Sequence, residues 1–239
     1  MFKEFKVEAI ILKKYKYLEK GYYVDFLTND FGRLSVFVRG LSGTKNNTHG
    51  NLELMSIVNL ILEKRENFKI KNISNKENFL NISQNPENYT YAHILSEFTL
   101  KLIPEEHQID GYFELVEMTL KILNIKDLNN QYTKCILISF LIKALNLLGY
   151  IKFKKYCDKC SQKINDNFFV DKENLHFICQ NCCIEKIELN NIIIKKIKFE
   201  NLKLFHFLST ESVQSIKKIR LNNLETFDEI KDLINISSN

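Results

Sequence analysis

Glycine and proline are scarce in this chain of 239 residues, which contains seven glycines and two prolines. Loops that cradle phosphate groups are rich in glycine, and the only short segment with two glycines, Gly40-Leu-Ser-Gly43, is more typical of a connection between strands. The motifs G-x-x-x-x-G-K-[ST], G-x-G-x-x-G, H-E-x-x-H and G-x-S-x-G are all absent. The five histidines are scattered, with no nucleophile evident beside them. We therefore expect a protein without catalytic activity.

Long apolar runs are also lacking. The longest one, residues 135–150, is too short to span a bilayer and contains Lys143, so it predicts a buried helix. The first residues, MFKEFKVE, do not have the pattern of a signal peptide. We expect a cytoplasmic protein without a membrane segment, whose cysteines stay reduced.

Basic residues are concentrated near the N-terminus. The whole chain has 34 basic and 29 acidic residues, and residues 1–80 contain 14 basic and 9 acidic ones. In residues 81–150 the balance is reversed, with 5 basic and 8 acidic residues. A polyanion such as a nucleic acid is therefore expected to bind to the N-terminal third.

The first 80 residues have the alternating pattern of β-strands. Leu34, Val36 and Val38 alternate with Ser35, Phe37 and Arg39, after the hairpin signal Asn29-Asp-Phe-Gly32. Five strands are predicted, at residues 7–12, 22–27, 34–39, 53–62 and 67–73. Five short strands with little helix between them predict a small barrel such as an OB-fold for residues 1–80.

From residue 89 the apolar spacing becomes that of helices, as Tyr91, Leu95, Phe98 and Leu102 illustrate. Further helices are predicted from a cap at Asp110 to Leu123, and over residues 132–148. Two amphipathic segments, residues 190–208 and 224–236, are expected to pack on this helical core. The predicted fold class is therefore α+β, with an OB-fold barrel followed by an α-helical domain over residues 81–239.

Two C-x-x-C pairs, Cys157/Cys160 and Cys179/Cys182, are separated by eighteen residues. This spacing is typical of a four-thiolate zinc site, because each tight turn presents two sulfurs and two turns can form the tetrahedral cage that zinc prefers. Such a site has no open position to activate water, so the predicted Zn²⁺ is structural. We expect a zinc-ribbon-like insert at about residues 153–190, containing a short hairpin.

Two alternatives to zinc are a pair of disulfides, which would need an oxidising compartment, and a redox C-x-x-C motif, which usually occurs as a single copy beside a βαβ unit. Within the zinc interpretation, Cys183 competes with Cys182 for the fourth position, and His176 is a weaker candidate ligand. The equal spacing of the two pairs favours Cys182.

Several segments together resemble the RecO family of bacterial recombination mediators. They are Thr28-Asn-Asp-Phe-Gly-Arg-Leu-Ser35 with Arg39-Gly40, then Pro104-Glu-Glu, Phe113-Glu-Leu-Val-Glu, and Leu147-Leu-Gly-Tyr150 ahead of the first cysteine pair. The family has lysine where Arg39 stands. Its following loop is richer in basic residues than residues 41–51, which contain only Lys45.

The resemblance implies a protein that binds single- and double-stranded DNA and anneals complementary strands. It also implies that the protein acts with RecR to load RecA onto DNA coated by single-strand-binding protein. An OB-type barrel fits this role because it combines a cationic groove with aromatic side chains on which bases stack. The predicted DNA contacts are Arg33, Arg39, Lys13, Lys14, Lys16 and Lys45. Phe37 is a possible stacking partner, although we expect the helical domain to cover it. A groove within residues 89–150 is expected to hold the acidic tail of single-strand-binding protein.

Two other functions are compatible with these features. The barrel and insert could form a scaffold that only docks protein partners, or they could bind RNA. A hydrolase or nuclease has the least support, because a filled four-sulfur zinc site has no place for a nucleophilic water.

Overall fold

The computed structural model describes residues 3–18, 21–39, 53–150, 155–165, 168–171, 176–189 and 194–197, together with residues 207, 208, 211, 212 and 215. Its N-terminal part is an antiparallel sheet of five strands. The strands are β1 (Lys3–Tyr17), β2 (Gly21–Thr28), β3 (Gly32–Arg39), β4 (Ile57–Lys64) and β5 (Phe68–Glu77). All five predicted strands are therefore present, and β1 is considerably longer than the predicted strand.

The length of β1 allows the sheet to curl into a barrel. Its first half, up to Ile10, pairs with β4, and its second half, from Ala9, pairs with β2. The strand order is β3-β2-β1-β4-β5, and the two outermost strands approach each other. Alternating residues of all five strands form one apolar core, which includes Ile11, Phe26, Val36 and Leu60. The predicted OB-type barrel is confirmed.

Three helices follow the barrel: α1 (Leu80–Gln84), α2 (Pro86–Leu102) and α3 (Tyr112–Leu123). Asn85 caps α2, because its side-chain oxygen accepts hydrogen bonds from the next two free backbone N–H groups, and Pro86 favours the first helical position. The prediction of a cap at Asp110 is wrong. The residue before α3 is Gly111, at a φ of 76°, and no side chain caps this helix.

Helix α2 is fixed to the barrel by a buried hydrogen bond, 2.7 Å long, from the Ser96 hydroxyl to the Leu12 carbonyl. The barrel and helices α1–α3 belong to one compact unit, residues 1–128, and residues 129–239 form a second. The predicted boundary at residue 80 lies where the secondary structure changes from strand to helix. As a boundary between domains it stays a prediction.

The second unit begins with α4 (Asn130–Leu147), the predicted buried helix. A small sheet follows, in which β6 (Phe168–Asp171) pairs with β7 (Phe177–Ile178) on one side and β8 (Ile194–Ile197) on the other. Between β7 and β8 lies α5 (Gln180–Leu189). Part of the predicted amphipathic segment 190–208 is thus a strand, in keeping with its β-branched isoleucines.

Residues 224–236 lie outside the described part of the chain. None of the helices that the structure describes is long and apolar enough to cross a membrane.

Candidate metal centre and nucleic-acid interface

The four predicted zinc ligands lie together. The Sγ atoms of Cys157, Cys160, Cys179 and Cys182 are all within 4.8 Å of one another, and those of Cys160 and Cys179 are 3.8 Å apart. A tetrahedral zinc ion with Zn–S bonds of about 2.3 Å requires sulfurs about 3.8 Å apart. The four thiols therefore fit the group and could hold a metal ion.

Backbone hydrogen bonds shape the first cysteine pair and tie it to the small sheet. The Cys157 amide donates to the Gln162 carbonyl at 2.8 Å, which closes the turn. The Asp158 amide donates to the Phe177 carbonyl at 2.8 Å, and the Asp158 carboxylate accepts from the Phe177 amide at 2.9 Å. Asp158 thus joins the first pair to β7, directly ahead of the second pair. These hydrogen bonds hold the two pairs close together.

The electrostatics around Cys157 favour the thiolate, which is the form that binds metal. Its burial opposes ionisation, but backbone N–H groups, including that of Cys179 at 3.4 Å from the sulfur, lower the pKa of Cys157 to about 7. Burial instead raises the pKa of Cys182 and of its neighbour Cys183. Cys183 and His176 are both in the described part of the chain, and neither belongs to the cluster of four.

The predicted DNA-contacting lysines of β1 lie on its second half and are exposed. The Nζ atom of Lys13 is 3.0 Å from a carboxylate oxygen of Glu97, and each of these side chains is 48% exposed. The Nζ atom of Lys14 lies 5.7 Å from the centre of the Tyr22 ring. Lys16 is exposed and pairs with Tyr22 across the strands. Because successive side chains of a strand face opposite sides, Lys13 lies on one face of β1, and Lys14 and Lys16 lie on the other.

The other predicted basic contacts are placed differently. Arg39 ends β3, opposite Gly21, and its side chain lies outside the described part of the chain, as does the whole of Lys45. The Arg33 side chain is only 18% exposed. Its Nε donates to the Ile103 carbonyl at 2.8 Å, and one terminal nitrogen lies 3.5 Å from Glu105 and 3.8 Å from Asp25. The guanidinium of Arg33 thus has protein partners on two sides.

Arg33 belongs to a larger contact, here called the clasp, between residues 28–33 and residues 103–108. The Glu106 amide donates to the Arg33 carbonyl at 2.8 Å, and the Gln108 side chain donates to the Asn29 carbonyl at 3.0 Å. Gly32, at a φ of 65°, lies so close to His107 that a Cβ would be 2.0 Å from the His107 carbonyl oxygen. The Thr-x-x-x-Gly-Arg and Pro-Glu-Glu segments noted in the sequence therefore contact each other.

Phe37 is half-buried on the outer face of the barrel, and its ring neighbours are barrel tyrosines. The centre of its ring is 5.1 Å from that of Tyr23, which is stacked on Tyr15 at 5.6 Å. Tyr17 packs edge-on against both Tyr23 and Phe37. The sequence prediction included Phe37 alone. The tyrosines could have been found from their spacing of two on β1, which places Tyr15 and Tyr17 on the same face.

Comparisons with known proteins agree with this architecture. Residues 1–78 match the family model "Recombination protein O N terminal" and residues 83–235 match "Recombination protein O C terminal". The chain is 26% identical to a DNA repair protein RecO of Dehalococcoides mccartyi over 221 residues. The matched region is 92% of this chain and 83% of that protein.

Two further relatives have the same name. A DNA repair protein RecO of Thermodesulfovibrio yellowstonii is 23% identical over 96% of this chain and 90% of its own length. The Mesoplasma florum protein is 25% identical over 92% and 79%, respectively. With both halves of its length matched and a five-stranded barrel followed by helices and a four-cysteine cluster, the chain belongs to the recombination protein O family of DNA repair and recombination proteins.

Proposed function

We propose that this protein is a non-catalytic recombination mediator that binds single- and double-stranded DNA and anneals complementary strands. The observation that carries the proposal is the barrel surface formed by the second half of β1. It presents Lys13 on the same face as the exposed rings of Tyr15 and Tyr17, and Lys14 and Lys16 on the opposite face of the strand. Cations that follow the phosphates and rings that stack on bases are the two elements of single-strand binding by OB-folds.

Annealing needs no chemical step on the protein. Two complementary strands repel each other through their phosphates, and a protein that replaces condensed counterions with lysine side chains reduces that repulsion. Arg39 and Lys45 complete the proposed set of DNA contacts. Arg33 also remains in this set, but its hydrogen bond to Ile103 and its two carboxylate neighbours favour a structural role in the clasp.

The proposed partners follow from the family. They are RecR, with which the protein promotes loading of RecA, and the acidic C-terminal tail of single-strand-binding protein, which we place in a groove within residues 89–150. These partners act on chromosomal DNA, so we propose that the protein works in the cytoplasm, at the nucleoid.

We further propose that the four clustered cysteines hold a structural Zn²⁺. The spacing of their sulfurs and the lowered pKa of Cys157 support this assignment. Zinc would supply folding free energy to the insert, and four thiolates leave it no open coordination position for catalysis. The residues that hold it would be Cys157, Cys160, Cys179 and Cys182.

The test is annealing of two complementary fluorophore-labelled strands, each coated with single-strand-binding protein, over a series of salt concentrations without ATP. We expect the protein to accelerate annealing, and the acceleration to fall steeply as salt rises, because phosphate contacts release counterions. No acceleration by folded, zinc-loaded protein would favour a scaffold that only docks protein partners. Tighter binding to RNA than to DNA of the same sequence would favour an RNA-binding protein.

A further inference from the structure

The outer face of β1, β2 and β3 carries a continuous group of aromatic rings, here called the aromatic platform and consisting of Tyr15, Tyr17, Tyr23 and Phe37. Strand pairing produces it, because Tyr15 is opposite Tyr23 and Tyr23 is opposite Phe37. The three side chains therefore stand in one row across three neighbouring strands, which spans about 10 Å at the usual strand separation. Tyr17 adds a fourth ring beside this row.

The platform is accessible where β1 crosses it. Tyr15 is 45% exposed and Tyr17 is 48% exposed, although each has an aromatic neighbour. The rings of Tyr15 and Tyr23 are within 16° of parallel, so the outer face of this stack can be extended by another flat ring. Aromatic rings stack favourably on every nucleic-acid base, because each base has a π-face.

The charge around the platform fits a polyanion. Residues 13–17, 21–25 and 35–39 contain four basic residues and one acidic residue. The acidic one is Asp25, which is buried near Arg33. Lys13 lies on the same face of β1 as the two tyrosines, whereas Lys14 and Lys16 emerge from the opposite face, so a phosphate chain beside the rings has Lys13 on its own face.

The platform also continues into a groove of about 540 Å³ between β3 and β5. Tyr23 and Phe37 belong to its lining on one side, and Lys69 and Lys71 belong to it on the other. A strand of bases leaving the platform thus reaches a channel with further cations. The row of rings and the groove together define a path across the outside of the barrel.

We infer that the aromatic platform is a base-stacking subsite that makes the barrel prefer single-stranded over double-stranded DNA. The inference rests on the proposed DNA-binding function and adds to it the reason for a strand preference. Bases of a duplex are stacked inside the helix and cannot lie on the rings, whereas unpaired bases can. The lysines contact phosphates of either form, and Tyr15 and Tyr17 contact only unpaired bases.

The chain contains no tryptophan, so Tyr15→Trp in the full-length protein creates a single tryptophan reporter. Titration with oligothymidylate is expected to quench its emission, because the bases stack on the indole. A duplex of equal length and an abasic oligonucleotide of equal length are expected to leave the emission nearly unchanged. The matched control is Tyr89→Trp on α2, since Tyr89 is 46% exposed, almost the same as Tyr15. Its emission is expected to stay constant with all three ligands.

Affinity gives a second, independent measurement. Tyr15→Ala with Tyr17→Ala is expected to weaken oligothymidylate binding about 5- to 150-fold for each base that no longer stacks. Duplex and abasic binding should change less than about twofold, and Tyr15→Phe should retain the wild-type affinity. Because both tyrosines are exposed, we expect the double variant to remain folded, which its thermal unfolding checks.

The outcomes separate the subsite from the proposed function. Wild-type binding of oligothymidylate with no loss in the double variant would overturn the platform and leave the proposed DNA-binding function standing. An equal loss for abasic and normal oligonucleotides would also overturn it, since the rings would then act without bases. Failure of the wild-type protein to bind any of the three ligands would overturn the DNA-binding function itself.

Discussion

The carbonyl oxygen of His107 lies where it would be 2.0 Å from a Cβ on Gly32, so the barrel hairpin and the segment after α2 approach as closely as their backbones allow. Any residue larger than glycine at position 32 would require the backbone to shift. The positive φ of 65° at Gly32 adds a second requirement for glycine. This contact is the centre of the clasp.

Gly32→Ala is therefore expected to destabilise the protein by roughly 2–5 kcal/mol, from left-handed backbone strain and from overpacking against His107. Chemical denaturation measures the loss. Gly111→Ala is the matched control, because Gly111 has a φ of 76° but nothing within 4 Å of its added Cβ. It should cost only the strain, about 1–2 kcal/mol. Equal losses in the two variants would show that the close approach has no energetic weight.

Arg33→Ala is expected to lower stability by about 2–3 kcal/mol, because the Ile103 carbonyl loses a charged donor and the buried Asp25 loses its cation. Arg33→Lys should restore only part of this loss, since an ammonium group cannot reproduce the planar fork of the guanidinium. Denaturant midpoints of the three proteins test the ranking. Wild-type stability in Arg33→Ala would remove Arg33 from the clasp.

DNA contacts are separated from structural ones by the salt dependence of binding. Lys14→Ala with Lys16→Ala is expected to reduce the slope of log affinity against log salt by roughly 0.7 for each single-strand phosphate that the protein no longer neutralises. Arg39→Ala should reduce the slope by about 0.7, the amount for one phosphate contact. Lys126→Ala, an exposed lysine between α3 and α4, is the control and should leave the slope unchanged. If the slope also falls in the Arg33→Ala variant, Arg33 remains among the DNA contacts.

Zinc binding is tested by elemental analysis of the purified full-length protein. Cys157→Ser and Cys179→Ser are each expected to lose stoichiometric zinc and to lower the unfolding temperature, because structural zinc supplies folding free energy. Cys183→Ser is the control, since Cys183 lies next to a proposed ligand but outside the cluster. It should keep its zinc. Retention of metal in both of the first two variants would contradict the assignment of ligands.

Glu63 is expected to make the stability of the folded protein depend on pH. Its side chain is only 4% exposed and forms ion pairs with Lys71 and Arg65, and the hydrogen bonds from these two residues lower its pKa below the ordinary value. A carboxylate with a lowered pKa stabilises the folded state above the unfolded-state pKa of about 4.3, and this contribution is lost as the pH falls further.

Glu63→Gln should therefore be less stable than the wild-type protein at pH 7, and the difference should shrink as the pH falls below about 4. Unfolding temperatures measured across this range check the trend. Glu66→Gln, an exposed change in the same hairpin, should have little effect at either pH. A difference that stays constant down to about pH 3 would show that the ion pairs at Glu63 do not contribute.

Local patterns in the sequence predicted most of the fold. The period of two in β3 reflects side chains that alternate between the barrel interior, at Leu34, Val36 and Val38, and its outer face, and this needs no distant information. Helix α1 was missed because its five residues are too few to establish a period. Helix α5 was missed because the second cysteine pair indicated a turn, whereas Cys182 lies in the first turn of a helix.

The candidate sites also differ in how far the sequence alone could predict them. The cysteine cluster was predictable because metal geometry links sequence spacing directly to position. The surroundings of Arg33 were not, since its hydrogen-bond acceptor Ile103 is 70 residues away and the pattern around Arg33 contains no information about it. The row from Tyr15 to Phe37 requires the pairing register of three strands, which the sequence alone did not supply.

The order in which the clasp is assembled has a consequence during protein synthesis. All five barrel strands have left the ribosome once Glu77 has emerged, but the residue that pairs with the Arg33 end of β3 is Glu105. At about 5–20 residues per second, the interval lasts roughly a few seconds. For that time the nascent barrel has an open strand end that a neighbouring chain can pair with. Translation speed across α1 and α2 would then influence how much of the newly made protein aggregates.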